Sequence, residues 1–154
     1  MKKAVFPGTF DPFTTGHQAL VERALKLADE IIIAIGINPD KKSCFALDRR
    51  IESIEKLYEN EPAVTVAAYD SLTTDFAGKA GADFILRGIR TVQDYEYEKT
   101  IACINRRLSG IETVMLVTEP EFSHVSSSIV RELIQYKKDI SPFVPKETLY
   151  ILQR

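Results

Sequence analysis

The length, composition and charge of this chain place it among ordinary globular proteins. It has 154 residues, of which 45% are hydrophobic and 27% are charged. One domain spanning residues 1–154 is expected, and a chain of this length buries roughly 70% of its unfolded surface. Lys and Arg number 20 against 22 Asp and Glu, a net charge of −2. This balance excludes wholesale nucleic-acid binding by charge, but it is compatible with a local basic cluster for a small phosphorylated ligand.

The cysteines and the apolar runs indicate which cellular compartment to expect. Cys44 and Cys103 are too few for a disulfide framework, and neither has the spacing of a metal ligand. No apolar run reaches the roughly 18 residues of a membrane span. The apolar stretch near the N-terminus stops after residues 4–6, so no signal peptide is expected. We therefore expect free thiols, no membrane partner and a cytoplasmic location.

Five short apolar segments predict the strands of a parallel sheet. Most are apolar on both faces, which is typical of strands covered by helices on each side. The strongest is residues 31–35, which read Ile-Ile-Ile-Ala-Ile. The predicted strands are residues 4–6, 31–35, 64–68, 84–86 and 114–117.

Segments with helical periodicity alternate with these strands. The first helix places Leu20 and Ala24 on one apolar stripe, and Gly81 and Gly110 end two later helices. The predicted helices are residues 17–28, 48–59, 74–80, 94–108, 127–137 and 146–152.

The order of these elements predicts a Rossmann-like α/β fold. Alternating strands and helices imply right-handed crossovers and a doubly wound five-stranded parallel sheet with helices on both faces. Ligands of such sheets bind beyond the carboxyl ends of the strands. The loops that follow the strands are therefore the place to look for chemistry.

The first of these loops, residues 7–17, is the most informative. It reads PGTFDPFTTGH, with two glycines, two prolines and three threonines. Gly16 lets a ligand approach the backbone closely, and His17 stands at a helix start, where free N–H groups attract anions. The loop matches neither GxxxxGK[ST] nor GxGxxG. Taken alone, it is either a phosphate site of another type or a plain strand–helix connection.

Cationic side chains follow two further strands. Lys41 and Lys42 come after the second strand, where they either hold a phosphate or occupy a solvated turn. Arg87 and Arg90 flank a Gly-Ile pair after the fourth strand. The planar fork of arginine suits phosphate oxygens, so two arginines at the mouth of a parallel sheet favour a functional role.

The loop after the fifth strand carries three consecutive serines. Serines at a helix start are ordinary N-caps, and one of Ser126, Ser127 and Ser128 is expected to do only that. The run also offers hydroxyl and amide donors for a triphosphate. His124 has no carboxylate near it in the sequence, so we interpret it as a local contact. The acidic residues of 94–98 complement the dipole of the helix that they begin.

No motif for a nucleophilic catalyst is present. The chain has no GxSxG, no HExxH and no cysteine-based nucleophile pattern. The candidates are His, Lys and Arg, all of them hydrogen-bond donors. A site composed of donors stabilises negative charge, which fits direct phosphoryl or nucleotidyl transfer.

Together the motifs resemble a known family. The string from Pro7 to His17 is similar to the T/HxGH signature of the nucleotidyltransferase superfamily. With the other motifs the resemblance is to the bacterial phosphopantetheine adenylyltransferases, in matching order from Lys3 to about residue 150. Those motifs are Lys41-Lys42, Arg87-Gly-Ile-Arg90, residues 94–98 and Ser126-Ser-Ser128.

The resemblance implies an activity and its partners. Such enzymes transfer the adenylyl group of ATP to 4′-phosphopantetheine by direct in-line attack, in coenzyme A biosynthesis. The products are 3′-dephospho-CoA and pyrophosphate. The implied cofactor is Mg²⁺, with no metal-ligating side chain assigned, and the implied assembly is a homohexamer.

The resemblance also implies roles for individual residues. His17, Lys41 and Arg90 would be catalytic, with His17 and Arg90 neutralising charge that grows on the α-phosphate and the leaving group. Phosphopantetheine would bind Thr9, Lys41, Thr73 and Arg87. ATP would bind Thr9, Phe10, His17, Gly88, Ile89, Arg90, Glu98, Phe122, Ser123, His124, Val125, Ser126, Ser127 and Ser128.

Two alternatives stay open at this point. A cytidylyltransferase or a nicotinate mononucleotide adenylyltransferase would share the first loop but usually carries a different serine or threonine loop. A non-catalytic adenine-nucleotide-binding module could keep a phosphate cradle without His17, Lys41 and both arginines together. Subunit contacts of any of these are expected at an apolar surface around Phe143 and residues 149–152.

Overall fold

Five strands and six helices alternate along the chain in a computed structural model that describes all residues, 1–154. The strands are β1 (Lys3–Gly8), β2 (Glu30–Gly36), β3 (Val64–Tyr69), β4 (Phe84–Ile89) and β5 (Glu112–Val117). The helices are α1 (Thr15–Ala24), α2 (Leu47–Leu57), α3 (Thr73–Lys79), α4 (Val92–Ser109), α5 (Ser127–Gln135) and α6 (Lys146–Gln153). None of the helices combines the length and apolar character that a membrane crossing requires.

The strands form one parallel sheet in the order β3-β2-β1-β4-β5. This is the predicted doubly wound Rossmann-like sheet, with its switch of direction between β1 and β4. β1 pairs with β2 along six residues, from Lys3 to Gly8. It pairs with β4 at only two, Ala4 and Val5. The two strands therefore separate toward their carboxyl ends, and we call this opening the seam.

The alternating side chains of β2 explain why its sequence is apolar throughout. Ile31, Ile33 and Ile35 face the larger core with residues of α1 and α2. Ile32 and Ala34 face the second core, which includes Ala77 of α3. Burial of each large aliphatic side chain contributes roughly 1.5–3 kcal/mol, so a strand covered on both faces holds the sheet at its centre.

Two helices begin two residues earlier than their apolar periodicity predicts. Thr14 caps α1 by accepting the N–H of His17, and Thr91 caps α4 by accepting the N–H of Asp94. Each cap extends its helix by two residues relative to the prediction. His17 therefore lies at the third helical position of α1, within the first turn.

The C-terminal apolar residues form a third core and are not an open surface. Ile151 is fully buried, and Phe143 and Leu149 pack against this core. The core itself consists of Phe45, Val130, Ile140, Val144 and Leu152. The expectation of an open apolar surface at Phe143 and residues 149–152 is therefore wrong except at Tyr150, which is 57% exposed, because α6 uses its apolar face within the chain.

Candidate active site

Two cavities open at the carboxyl ends of the strands, beside the seam. The first, of about 380 Å³, contains Lys41 and is called the lysine cavity. The second, of about 370 Å³, contains His17 and is called the histidine cavity. Five residues line both cavities: Pro7, Gly8, Thr9, Arg87 and Glu98. Ligands that filled the two cavities would therefore meet at this shared wall.

The cap of α1 fixes the orientation of the His17 ring. The Thr14 N–H donates to His17 Nδ1 at 3.0 Å, while Thr14 Oγ1 accepts the His17 N–H at 3.3 Å. Because Nδ1 is an acceptor, the proton of the neutral ring sits on Nε2. The cap therefore selects one tautomer and gives the histidine cavity a fixed N–H donor.

Three phenylalanines surround the same ring. The centroid of the His17 ring lies 6.1 Å from that of Phe6, 5.0 Å from Phe10 and 5.2 Å from Phe13. Phe10 reaches its place by lying on Gly8, where a Cβ would be only 2.8 Å from its ring. A larger residue at position 8 would displace the aromatic cage.

This environment keeps His17 neutral. Burial, together with the positive charges of Arg90 and Arg87, lowers the pKa of His17 from 6.5 to about 3. The ring acts as an uncharged hydrogen-bond donor, whose fixed dipole can still stabilise an anion.

Arg87 is held rigidly at the shared wall. Its Nε and Nη2 donate to the Glu98 carboxylate at 2.9 and 2.6 Å, and its Nη1 donates to the Pro7 carbonyl at 2.6 Å. Glu98 is the one buried residue of α4. A guanidinium has five N–H groups, so these bonds leave two of them for a ligand.

Arg90 and the start of α5 form the far side of the histidine cavity. Arg90 Nη1 donates to the Val125 carbonyl at 3.1 Å, which ties β4 to the serine loop. Ser126 acts as the expected N-cap by accepting the Ile129 N–H at 3.2 Å. The N–H groups of Ser127 and Ser128 have no partner within the chain. Free N–H groups at a helix N-terminus bind anions.

The lysine cavity is less constrained. Lys41 is exposed on the loop after β2, and its side chain makes no hydrogen bond within the chain. On the opposite side the Thr73 hydroxyl lies 2.8 Å from the Tyr69 hydroxyl. This cavity joins one flexible cation to an apolar and hydroxyl-bearing wall, which suits an elongated ligand with a charged end.

Comparison with known proteins places the chain in a family. A model of the cytidylyltransferase-like family matches residues 5–133. Proteins from Bacteroides thetaiotaomicron and Phocaeicola vulgatus are 60% and 59% identical over 146 residues, 95% of this chain and 97% of each relative. A protein from Porphyromonas gingivalis is 50% identical over 148 residues, again 95% and 97%. All three are named phosphopantetheine adenylyltransferase.

The chain belongs to the phosphopantetheine adenylyltransferase family. The resemblance carried by the sequence motifs is thus confirmed, and so is the nucleotidyltransferase class of the enzyme. The comparisons do not favour the cytidylyltransferase and nicotinate mononucleotide alternatives.

The structure brings most of the residues expected for this family into the two cavities. The histidine cavity is lined by Thr9, Phe10, His17, Gly88, Arg90, Glu98, Phe122, Val125, Ser126, Ser127 and Ser128. The lysine cavity is lined by Thr9, Lys41, Thr73 and Arg87.

Three residues of the expected nucleotide set line neither cavity: Ile89, Ser123 and His124. Ser123 Oγ instead donates to the Pro120 carbonyl at 2.9 Å. The ring of His124 packs edge-on against Phe143, with 6.3 Å between centroids. The second contact agrees with the interpretation of His124 as a local packing residue.

The sequence motifs did not reveal several cavity residues. Arg131 lines the histidine cavity and donates to the Asp11 carbonyl at 2.9 Å. It follows Ser127 by four residues, one helical turn along α5. This spacing places the two side chains on the same face of the helix and could have indicated Arg131. Tyr97, Ile101 and Asn105 line the lysine cavity at the same four-residue spacing along α4.

The carboxylates of the histidine cavity do not form a site for a resident metal ion. Asp11 accepts two backbone N–H groups, Glu98 is bound to Arg87, and Asp94 accepts the N–H of Arg90. No group of three or more His, Cys, Asp or Glu side chains in the chain could hold a metal. Enzymes of this class typically need a divalent metal, and these residues alone do not supply its ligands.

Proposed function

We propose that the chain transfers the adenylyl group of ATP to 4′-phosphopantetheine, giving 3′-dephospho-CoA and pyrophosphate. ATP would occupy the histidine cavity and phosphopantetheine the lysine cavity. The observation that carries this proposal is the wall shared by the two cavities, at Thr9, Arg87 and Glu98. Two substrates that react directly must meet in this way.

The acceptor phosphate is the nucleophile. Its oxygen attacks the α-phosphorus of ATP, the bond from that phosphorus to the bridging oxygen breaks, and pyrophosphate leaves on the opposite side. A phosphate dianion is already nucleophilic, so no general base is needed. Lys41 and the two remaining N–H groups of Arg87 would hold this phosphate, with Thr73 beside the pantetheine arm.

The histidine cavity would stabilise the charge that develops during transfer. His17 would donate its Nε2 proton to a phosphate oxygen, and Arg90 would provide positive charge on the same side. The free N–H groups of Ser127 and Ser128 would bind the leaving pyrophosphate. Such prearranged donors act in the transition state without reorganising, which is the source of most of their catalytic effect.

Mg²⁺ would enter as the complex with ATP. The cavity carboxylates are engaged within the chain, and Mg²⁺ in nucleotide sites is commonly held by substrate phosphates and water. When bound, the ion would supply positive charge to the phosphates.

A pyrophosphate-release assay tests the proposal. The purified chain is given Mg²⁺ and either ATP or CTP, with phosphopantetheine, nicotinate mononucleotide or no acceptor. We expect release only with ATP and phosphopantetheine, together with equimolar 3′-dephospho-CoA. Release with CTP or with nicotinate mononucleotide would point to another nucleotidyltransferase. ATP binding without any release would point to a nucleotide-binding module.

Exposed apolar side chains on α4 and β5 support a homo-oligomer, for which the family resemblance implies a hexamer. Val92, Ile104 and Leu108 of this helix are 78%, 49% and 65% exposed, and Val117 of the edge strand β5 is 64% exposed. Apolar side chains as exposed as these are candidates for burial in a subunit contact. Light scattering of the purified chain at several concentrations measures the assembly.

The whole chain, residues 1–154, is proposed to act as one catalytic domain in the cytoplasm. Both cysteines are free and exposed, which agrees with a reducing compartment. Cell fractionation with an antibody against the chain tests the location.

A further inference from the structure

A buried arginine outside the expected site connects the walls of the two cavities. Arg50, on α2, is only 5% exposed. Its Nη1 donates to the Thr9 carbonyl at 2.7 Å, its Nε to the Phe45 carbonyl at 3.1 Å, and its Nη2 to Ser43 Oγ at 3.3 Å. None of these acceptors is a carboxylate. A buried charge that loses such hydrogen bonds costs free energy. The guanidinium therefore favours the arrangement in which all three acceptors stay in place.

Asp11 binds the same segment from the other side. This carboxylate is 4% exposed and accepts the N–H groups of Cys44 and Phe45, each at 2.8 Å. Arg50 thus donates to oxygen atoms of Ser43 and Phe45, and Asp11 accepts the N–H groups of Cys44 and Phe45. We call this pair the brace, because it fastens residues 43–45 to residues 9–11.

The brace lies between two elements of the proposed reaction. Lys41 precedes Ser43 by two residues and lines the lysine cavity, while Thr9 lies in the shared wall. We propose that Arg50 is a positioning residue that fixes the Lys41 loop relative to Thr9. It thereby sets where the acceptor phosphate stands relative to the nucleotide. This inference rests on the proposed function, since it names a residue that acts through Lys41.

The substitution Arg50→Lys tests the brace while keeping the charge. A lysine ammonium cannot reproduce the planar arrangement that reaches three acceptors at once. We expect the KM and the Kd for phosphopantetheine to rise roughly ten- to hundredfold and kcat to fall, since misplacement by about 1 Å costs up to about 10²-fold. The Kd for ATP should stay within twofold. Arg49→Lys, on the same helix, is the matched control and should leave all these constants unchanged.

A double-mutant cycle with Lys41→Ala separates positioning from general loss of structure. If Arg50 acts through Lys41, Arg50→Lys should change the Kd for phosphopantetheine less than twofold in the Lys41→Ala background. Additive effects would overturn the proposal, as would an equal loss of ATP binding. If Arg50→Lys does not fold, Ser43→Ala replaces it in the cycle, with the same criterion.

Binding constants keep this test independent of turnover. Absence of pyrophosphate release by the unmodified chain would refute the proposed function. Additive Kd values for phosphopantetheine, measured by calorimetry, would refute the brace whether or not the unmodified chain turns over.

Discussion

His17 and Lys41 line neighbouring cavities, but the chain holds them in opposite ways. His17 is fixed by two hydrogen bonds with Thr14 and enclosed by three aromatic rings. Lys41 is exposed, with a side chain that makes no bond within the chain. One group is fixed by contacts within the chain, while no side-chain hydrogen bond within the chain fixes the other.

The two arrangements suit different contributions to the reaction. A donor that is already in place loses no conformational entropy when charge develops, so it is suited to stabilising a transition state. A flexible lysine loses rotamer freedom on binding, up to about 2 kcal/mol, and its charge attracts the substrate in the ground state. We therefore expect substitutions of His17 to change kcat and substitutions of Lys41 to change KM.

The largest effect is expected for His17→Ala. Loss of a prearranged donor should lower kcat roughly 10²- to 10³-fold, as with an oxyanion-hole donor. The Kd for ATP should change little, because the contact strengthens in the transition state. Steady-state kinetics with a separate measurement of ATP binding checks this.

Two further substitutions of His17 distinguish a neutral hydrogen-bond donor from a cation at this position. His17→Gln keeps a neutral N–H donor and should recover part of the lost kcat, whereas His17→Lys restores only charge and should not. Recovery by lysine and not by glutamine would show that the site requires a cation, against the neutral state that burial imposes.

A smaller effect is expected for Lys41→Ala. Loss of a charged hydrogen bond to the acceptor phosphate costs about 1.5–3 kcal/mol, which corresponds to a rise in KM of roughly ten- to hundredfold. The kcat at saturating phosphopantetheine should fall much less. Lys42→Ala is the matched control, because Lys42 adjoins Lys41 but lines neither cavity. Equal effects of the two variants would contradict the assignment to Lys41.

The smallest effect concerns the pH dependence of stability. Because the pKa of His17 is lowered from 6.5 to about 3, the unfolded chain takes up a proton first as the pH falls. The free energy of unfolding should therefore decrease below pH 6.5 and continue to decrease toward about pH 3.

Urea unfolding at pH 6.5 and 4.5 measures this contribution. The unmodified chain should lose about 1–2 kcal/mol more than His17→Gln between these values, a range that is reduced because His17 is half-buried and not fully buried. Equal losses would mean that the ring titrates normally in the folded chain.

Much of the fold could be predicted because its signals are local. Most of the five strands are apolar on both faces, and one such strand, residues 31–35, matches β2 to within one residue at each end. The predicted helix starts were less accurate. Thr14 and Thr91 begin α1 and α4 through side-chain caps, and apolar periodicity does not indicate where such a cap lies. The C-terminal core was missed because apolar periodicity does not say which neighbour covers a helix.

The site was predictable where its residues follow strands directly. His17, Lys41 and Arg90 come after strands that end at one edge of the sheet. Arg87, predicted to follow the fourth strand, lies within β4 near the same edge. The structure brings the four side chains around two adjoining cavities. The ion pair of Arg87 with Glu98 was not predictable, because it depends on how α4 packs against β4.

The role of Arg50 was not predictable from the sequence for a related reason. It reads as one of many charged residues on an amphipathic helix, and nothing local indicates that its head group is buried. Likewise, the neutral state of His17 depends on its burial and on the nearby charges of Arg90 and Arg87, which only the folded chain brings together.

The short pairing between β1 and β4 has a thermodynamic consequence. Beyond Val5 and Ile85 the two strands are no longer paired with each other. The two halves of the sheet therefore lack backbone pairing at the edge where the two cavities open. A molecule seated there can contact both halves of the chain and hold them together. Substrate occupancy should then raise the melting temperature and slow amide exchange on both strands, by linkage between binding and folding.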